Sequence, residues 1–433
     1  LQEGKTMAND QDSPRRRFLK AGVAAGAAAG AALGTGSLAH AATKAQYKQP
    51  VDPMLVVEPF FGEHQSGIVT PQQSHTYVAV FDVTTDKRDD VIGLLRAWTD
   101  AAERMSRGET AKPLPTDDKA APDSGDILGL GASGLTVTFG FGPGLFTKDG
   151  KDRYGLAKNR PAALVDLPRF NGDQLIPQKT GGDLMIQACA NDAQVAFHAV
   201  RQLSRMGYGA VAMRWGQAGF LSGPRGQTPR NLMGFKDGTN NPSVVKPELM
   251  NKFVWADAPD TPWMNGGTYT VVRRIRITLE HWDTMERGFQ EQVMGREKYS
   301  GAPIGKQKEF DPLDLDAVDK DGNQVIPENS HVRLSNQATN DGAQILRRSY
   351  SYNDGTDFYI ERWPPWRQET EYDAGLIFIA HQADPRSGFI PINNRLAKFD
   401  MMNQFTTHVG SGVFACPPGA RPGSFIGVGL FDT

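Results

Sequence analysis

"TYTVVRRIRITLE", residues 268–280, is the stretch on which the fold turns. Its dense β-branched and aromatic residues predict a strand. It echoes "TYVAVFDV" at 76–83, and each copy opens the same kind of series. A strand is predicted from His75 to Val83, then a helix from Asp89 to Ser106 with Val91, Leu94, Leu95 and Trp98 near helical spacing. "ASGLTVTFGFGPGLF" (132–146) predicts a strand ending in a glycine turn. "DLMIQACAN" (183–191) and "AVAMRWGQAGF" (210–220) predict two more, flanking a helix from Asp192 to Met206. The order is strand-helix-strand-strand-helix-strand. After residue 267 it starts again: the opening strand, a longer insert, "LRRSYSY" (346–352), "AGLIFIAHQ" (374–382) and a helix from Asn393 to Phe405. The tail "PPGARPGSFIGVGLF" (417–431) predicts a loop and a closing strand. The expected fold is α+β: two ferredoxin-like domains in tandem, of the dimeric α+β barrel type, with a pocket near the seam of the two sheets.

The 433 residues, 39% of them hydrophobic, are enough to bury a large core. A formal net charge of −2, without a basic stripe, gives no reason to expect a nucleic-acid partner. The N-terminal stretch has a basic start, an Ala/Gly-rich middle and a small-residue end. Arg15 and Arg16, followed by Arg17, Phe18, Leu19 and Lys20, match a twin-arginine export signal. Ala39-His40-Ala41 fits a cleavage site before Ala42. The expected divisions are a signal peptide at 1–41, a linker at 42–57, an N-terminal domain at 58–232 and a C-terminal domain at 233–433. The expected location is the periplasm or beyond, with the twin-arginine translocase as a partner. That route carries folded proteins, often with a cofactor in place. Cys189 and Cys416 are the two cysteines, too few for a disulfide scaffold, although the compartment would permit a bridge. The absence of CxxCH and CxxC argues against covalent haem and Cys-rich zinc sites.

Two dense stretches carry the candidate chemistry. "NLMGFKDGTNNP" (231–242) sets Asp237 between Gly234 and Gly238. Taken alone it reads as a surface turn. "IPENSHVRLSNQATNDGAQILRRSYSY" (326–352) holds His331, Arg333 and the pair Arg347–Arg348. No two of the eight histidines stand as HxxxH or HExxH, and GxSxG and phosphate loops are absent. The aspartate-rich run at 311–328 lacks a ligand at the first position of a calcium loop and reads as a solvated loop. One histidine, one acid in a glycine frame and one arginine are the parts of a haem peroxidase. Imidazole holds the iron, a carboxylate moves a proton between peroxide oxygens, and a guanidinium stabilises developing charge.

"GFKDGTNNP" is similar to the GxxDG signature of dye-decolorising peroxidases. "GEHQSGIVTPQQ" (62–73), "GREKYSGAPIG" (295–305), "NSHVRL" (329–334) and "LRRSYSY" resemble one branch closely, the twin-arginine-exported deferrochelatase/peroxidase of bacterial ferrous-iron uptake. The match runs from about Gly62 to the C-terminus. The resemblance implies two ferredoxin-like halves with non-covalent haem b in the C-terminal one. It implies His331 as axial ligand, Asp237 as acid-base residue, and Arg347 as distal arginine with Arg348 as fallback. Gly238, Thr239, Asn240, Arg333, Asn336, Gln337, Ala338 and Arg347 are the implied haem contacts. It also implies hydrogen peroxide and organic electron donors as substrates, haem or protoporphyrin as a further substrate for iron release, partners in iron uptake, and a homodimer. Trp363, Trp366, Tyr350 and Tyr352 are candidate electron relays to bulky donors. The competing expectation is an exported haem carrier without turnover, for which Asp237 and Arg347 would have no use.

Overall fold

The computed structural model describes residues 52–117, 119–224, 226–356 and 371–432. Its frame is antiparallel sheet. In the first half, β1 (His75–Val83), β2 (Thr136–Phe141), β3 (Leu184–Ala190) and β4 (Val211–Phe220) lie in the order β2-β3-β1-β4. In the second half, β5 (Thr268–Ile277), β6 (Leu346–Arg347), β7 (Tyr350–Thr356), β8 (Tyr372–Gln382) and β9 (Thr406–Cys416) place β5 between β8 and β9. β6 and β7 both pair with β8. The two sets then join: β2 meets β9 at Phe141↔Ala415, and β4 meets β7 at Phe220↔Ser351. With β5 paired to both β8 and β9 the sheet closes on itself as a barrel. Residues 52–432 accordingly cluster as one compact unit across the expected boundary at 232/233.

Alternation along the strands explains the closure. Val78 and Val80 of β1 face the barrel interior with Met185, Val272, Ile377 and Phe414, so the interior draws on both halves. Ala79 and Phe81, the intervening residues, face outward into a second core that also contains Leu94, Leu95 and Trp98. The helices Arg88–Ser106 and Ala193–Met206 cover that outer face. Asp192 caps the second helix by accepting from the N–H groups of Gln194 and Val195. Strands buried on both faces carry few polar residues, and β2 and β3 are buried throughout. Cys189 and Cys416 are buried free thiols, and burial pushes Cys416 up to about 12. Among the described residues no helix is long and apolar enough to cross a membrane.

Three expectations are corrected in the second half. The helix placed at 393–405 runs from Phe389 to Phe399. Asp400 ends it by turning the chain into a 3-10 segment, accepting from Met402 N–H. The closing strand is β9, ahead of the tail; the tail begins with Pro417–Pro418 and ends in a short helix at Val428–Phe431. "LRRSYSY" breaks between β6 and β7 at Arg348–Ser349, sending the two arginines to different surroundings.

Gly375 marks the tightest point of the closure. It pairs with Arg276 of β5 on one side and Tyr352 of β7 on the other. A Cβ there would sit 2.0 Å from the Ile275 carbonyl oxygen. Gly375→Ala is expected to destabilise the fold by about 1–3 kcal/mol, the usual cost of overpacking. Urea unfolding reads this, and an unchanged midpoint would show that the strands have room to part.

Candidate active site

A cavity of about 950 Å³ opens in the second half, between the β5–β8–β9 sheet, the helix Phe389–Phe399 and the loop after β4. That volume is at the upper end of the range for ligand pockets, about 300–1,000 Å³. Asp237, Gly238, Thr239, Asn240, His331 and Arg347 all line it. So does the segment Phe170–Gln174 from the first half.

Asp237 is held by its own loop. Asn231 Oδ1 accepts from the N–H groups of Met233 (3.1 Å) and Phe235 (3.4 Å), and Asp237 N–H donates to Pro229 O at 2.9 Å. Gly238 has φ +115°, a conformation that other residues avoid. A Cβ there would meet nothing closer than 3.9 Å, so backbone conformation, not lack of space, requires the glycine. Asn241 then fixes the arginine: its Nδ2 donates to Arg347 O at 2.7 Å, and its Oδ1 accepts from Arg347 N–H at 3.1 Å. Arg347 Nη1 reaches back to Asp237 Oδ1 at 2.8 Å. The acid and the base of this pair stand 110 residues apart in sequence, and one asparagine sets their register.

Thr239 donates to Glu309 Oε1 at 3.0 Å, and Lys236 pairs with the same carboxylate. Burial pushes Glu309 up, but the bonds from Lys236, Thr228 and Thr239 outweigh it and hold the group below the usual range. Arg296 also lines the cavity; its Nη1 donates to the carbonyls of Gly301 (2.7 Å) and Glu309 (2.9 Å).

Three histidines line the cavity, and hydrogen bonding separates two of them. His331 opens the short helix His331–Ser335, and its Nδ1 donates to Asp400 Oδ2 at 2.7 Å. Asp400 is buried, and its other oxygen accepts from Met402 N–H at 2.8 Å. In the neutral form of an imidazole so held the proton sits on Nδ1, which leaves the Nε2 lone pair as that of a metal ligand backed by a carboxylate. His408 is the reverse case. Its Nδ1 accepts from Arg273 Nε at 3.0 Å, so the ring proton sits on Nε2. Burial, with Arg273 beside it, brings His408 down to about 3, so it stays neutral. His281 packs against Phe405 with ring centroids 4.9 Å apart.

The rest of the expected set is not brought together here. Arg333 turns away: Nε donates to Ile326 O at 3.0 Å, and Nη2 to Leu315 O at 2.6 Å and Gln324 Oε1 at 2.8 Å. Asn336 spends its Oδ1 on Ala338 N–H at 2.8 Å, capping a turn that takes Gln337 and Ala338 to the surface. None of these four lines the cavity. Arg348 is buried elsewhere, with Nη1 on Thr70 O at 2.6 Å and Nη2 on Gln73 Oε1. Tyr350 and Tyr352 are wholly buried, which removes them as surface relays. Trp363 and Trp366 lie outside the described residues. Asp400, Asn241 and Arg296 were missed by sequence reasoning. Asn241 and Arg296 stand inside the quoted blocks "GFKDGTNNP" and "GREKYSGAPIG", which was their available signal; Asp400, expected within a helix at 393–405, had none.

The family model described as Dyp-type peroxidase, N-terminal, matches residues 65–221, and that for the C-terminal part matches 228–421. A dye-decolorizing peroxidase of Thermobifida fusca is 38% identical over 385 residues, covering 85% of this chain and 84% of the relative. A deferrochelatase of Shigella flexneri is 34% identical over 425 residues, covering 95% and 96%. Among solved structures, ferric DtpA from Streptomyces lividans matches with a TM-score of 0.80 at 38% identity, over 89% of this chain and all of its own. Both halves thus match in order, and the relatives match over most of their length: the chain belongs to the dye-decolorising, or Dyp-type, peroxidase family and is a haem-dependent peroxidase.

Proposed function

We propose that the cavity would hold haem b non-covalently, with His331 as the residue that would hold its iron and the Asp237–Arg347 pair as the peroxide-handling groups. One observation carries this: a carboxylate-backed imidazole and a carboxylate–guanidinium pair line the same cavity. The walls suit a porphyrin. Leu376, Phe378, Phe389, Ile392 and Phe405 supply apolar surface, and the buried Arg276 on the wall has no hydrogen-bond partner for Nε among the described residues. Haem, when bound, supplies the redox-active iron. Asp237 takes the proton from one peroxide oxygen and returns it to the other. Its Oδ1 is engaged by Arg347, which leaves Oδ2 for this transfer. Arg347 stabilises the negative charge that develops as the O–O bond breaks. Asn241 positions both through the Arg347 backbone.

The reading extends to architecture and setting. With the two-residue β6 set aside, the strand orders β2-β3-β1-β4 and β7-β8-β5-β9 are each the second, third, first and fourth strands of their half, which supports two ferredoxin-like units. The twin-arginine motif supports export to the periplasm. Relatives named deferrochelatase, matched over nearly the whole chain, support a second activity, release of iron from haem with the ring intact, for ferrous-iron uptake. A homodimer belongs to the same reading. A carrier without turnover is disfavoured, since it has no use for the Asp237–Arg347 pair.

His331→Ala is expected to lose most haem while the apoprotein stays folded; full occupancy with an unchanged absorption spectrum would overturn the axial assignment. Asp237→Asn should load haem normally and react with peroxide roughly 10²- to 10⁴-fold more slowly in stopped flow, the usual contribution of a positioned acid-base group. Arg347→Ala should also slow that step. Arg348→Ala should instead act on folding, costing about 1–3 kcal/mol for the partners it leaves unpaired. A wild-type peroxide rate in Asp237→Asn would make the acid structural. For iron release, haem incubated with the protein under reducing conditions should yield metal-free porphyrin; recovery of intact haem alone would restrict the chain to peroxidase chemistry.

A further inference from the structure

Four methionines line the cavity: Met233, Met285, Met294 and Met402. They pack around Phe235, Trp282 and Phe405. Met233 and Met294 are buried in the wall, at 1% and 6% exposure. Met285 and Met402 are only half-buried, so a small solute in the cavity can reach them. Thioether sulfur is readily oxidised by peroxide, and the product is polar where the parent was apolar.

Met402 sits at a mechanical junction. Its N–H donates to Asp400 Oδ1, and the other oxygen of Asp400 accepts from His331. Its carbonyl accepts from Phe405 N–H at 2.9 Å and Thr406 Oγ1 at 3.1 Å. The neighbouring Met401 N–H donates to Asn329 O at 3.1 Å, tying the same turn to the segment that precedes His331.

We propose that Met402, with Met285, is an oxidation site of this cavity, and that its sulfoxide loosens the Asp400–His331 anchor. The step is an oxygen transfer. Sulfur attacks one peroxide oxygen, the O–O bond breaks, and an S–O bond forms. Sulfur is oxidised by two electrons, and the other oxygen leaves as water with both protons. Peroxide, the substrate, is the oxidant. Methionine sulfoxide reductases reverse the change, which makes it a brake that can be released. The inference rests on peroxide entering this cavity to react.

Met213 supplies an internal control. It lies on β4, is 45% exposed and is not on the cavity wall. Oxidation from bulk solution alone would reach it first. The experiment treats haem-loaded protein with hydrogen peroxide without an organic donor and follows each methionine peptide by mass spectrometry. Peroxide consumption and the haem absorption band are recorded in the same samples. The expected result is one added oxygen on the Met402 and Met285 peptides ahead of Met213, with loss of the haem band following Met402. Met402→Leu should slow that loss, and a methionine sulfoxide reductase should restore haem binding to the oxidised protein. Oxidation of Met213 first, or band loss with Met402 unmodified, overturns the proposal while leaving peroxidase function intact. Failure to consume peroxide would instead count against the peroxidase reading. The order of oxidation is read on the unaltered chain, so it decides the matter even where a variant fails to fold.

Discussion

An open sheet leaves two rows of unpaired N–H and C=O groups, and burying them without partners is costly. With the two-residue β6 set aside, each half of this chain makes a four-stranded sheet with two such edges, and each edge finds its partner in the other half. The backbone link is thin, one residue pair at each seam. Side chains therefore do most of the joining. Val78, Val80 and Met185 from one half meet Val272, Ile377 and Phe414 from the other inside the barrel. The cavity depends on this closure, because its walls include Phe170–Gln174 as well as the C-terminal strands.

Within that frame the groups proposed for the chemistry are placed by polar side chains acting on backbone. Asn241 fixes Arg347, Pro229 O and Asn231 fix the loop that carries Asp237, and Asp400 fixes His331. Such bonds add about 0.5–1.5 kcal/mol each to stability. Their larger effect is geometric. Asp237 Oδ1 and Arg347 Nη1 stand 2.8 Å apart because two elements 110 residues apart are locked in register.

Much of this was legible in the sequence, for identifiable reasons. β1 and β3 announce themselves because strands buried on both faces are rich in apolar and β-branched residues, and β5 does so through its other residues despite the buried Arg273, Arg274 and Arg276. β9 is concealed by Gly410 and Gly412, which lower strand propensity but are needed for space. A Cβ at Gly410 would sit 2.8 Å from Lys179 O, and one at Gly412 would sit 2.6 Å from the Phe414 ring. The end of the tail reads as a closing strand by composition, but Gly427, at φ +81°, turns it into the short helix Val428–Phe431. At the site, Asp237, His331 and Arg347 stand in recognisable blocks. Asp400 does not, because its role comes from a turn that brings it within 2.7 Å of a residue 69 positions earlier. Arg333 misleads for the same reason in reverse: its position beside His331 says nothing of the carbonyls at 315 and 326 that capture it.

The place of β9 sets an order of events in biogenesis. This strand lies between β5 and β2, and the residues just before it supply Asp400, Met402 and Phe405 to the cavity. While the chain is still emerging from the ribosome, β2 and β5 have an edge each, and His331 has no carboxylate behind it. The contacts that close the barrel are among the most distant in sequence, which makes them late and slow to form. The cavity therefore takes shape only after β9 has been synthesised. Any group that fills the cavity then enters after β9 has joined the sheet, and a truncation ahead of β9 would remove the cavity wall along with the strand.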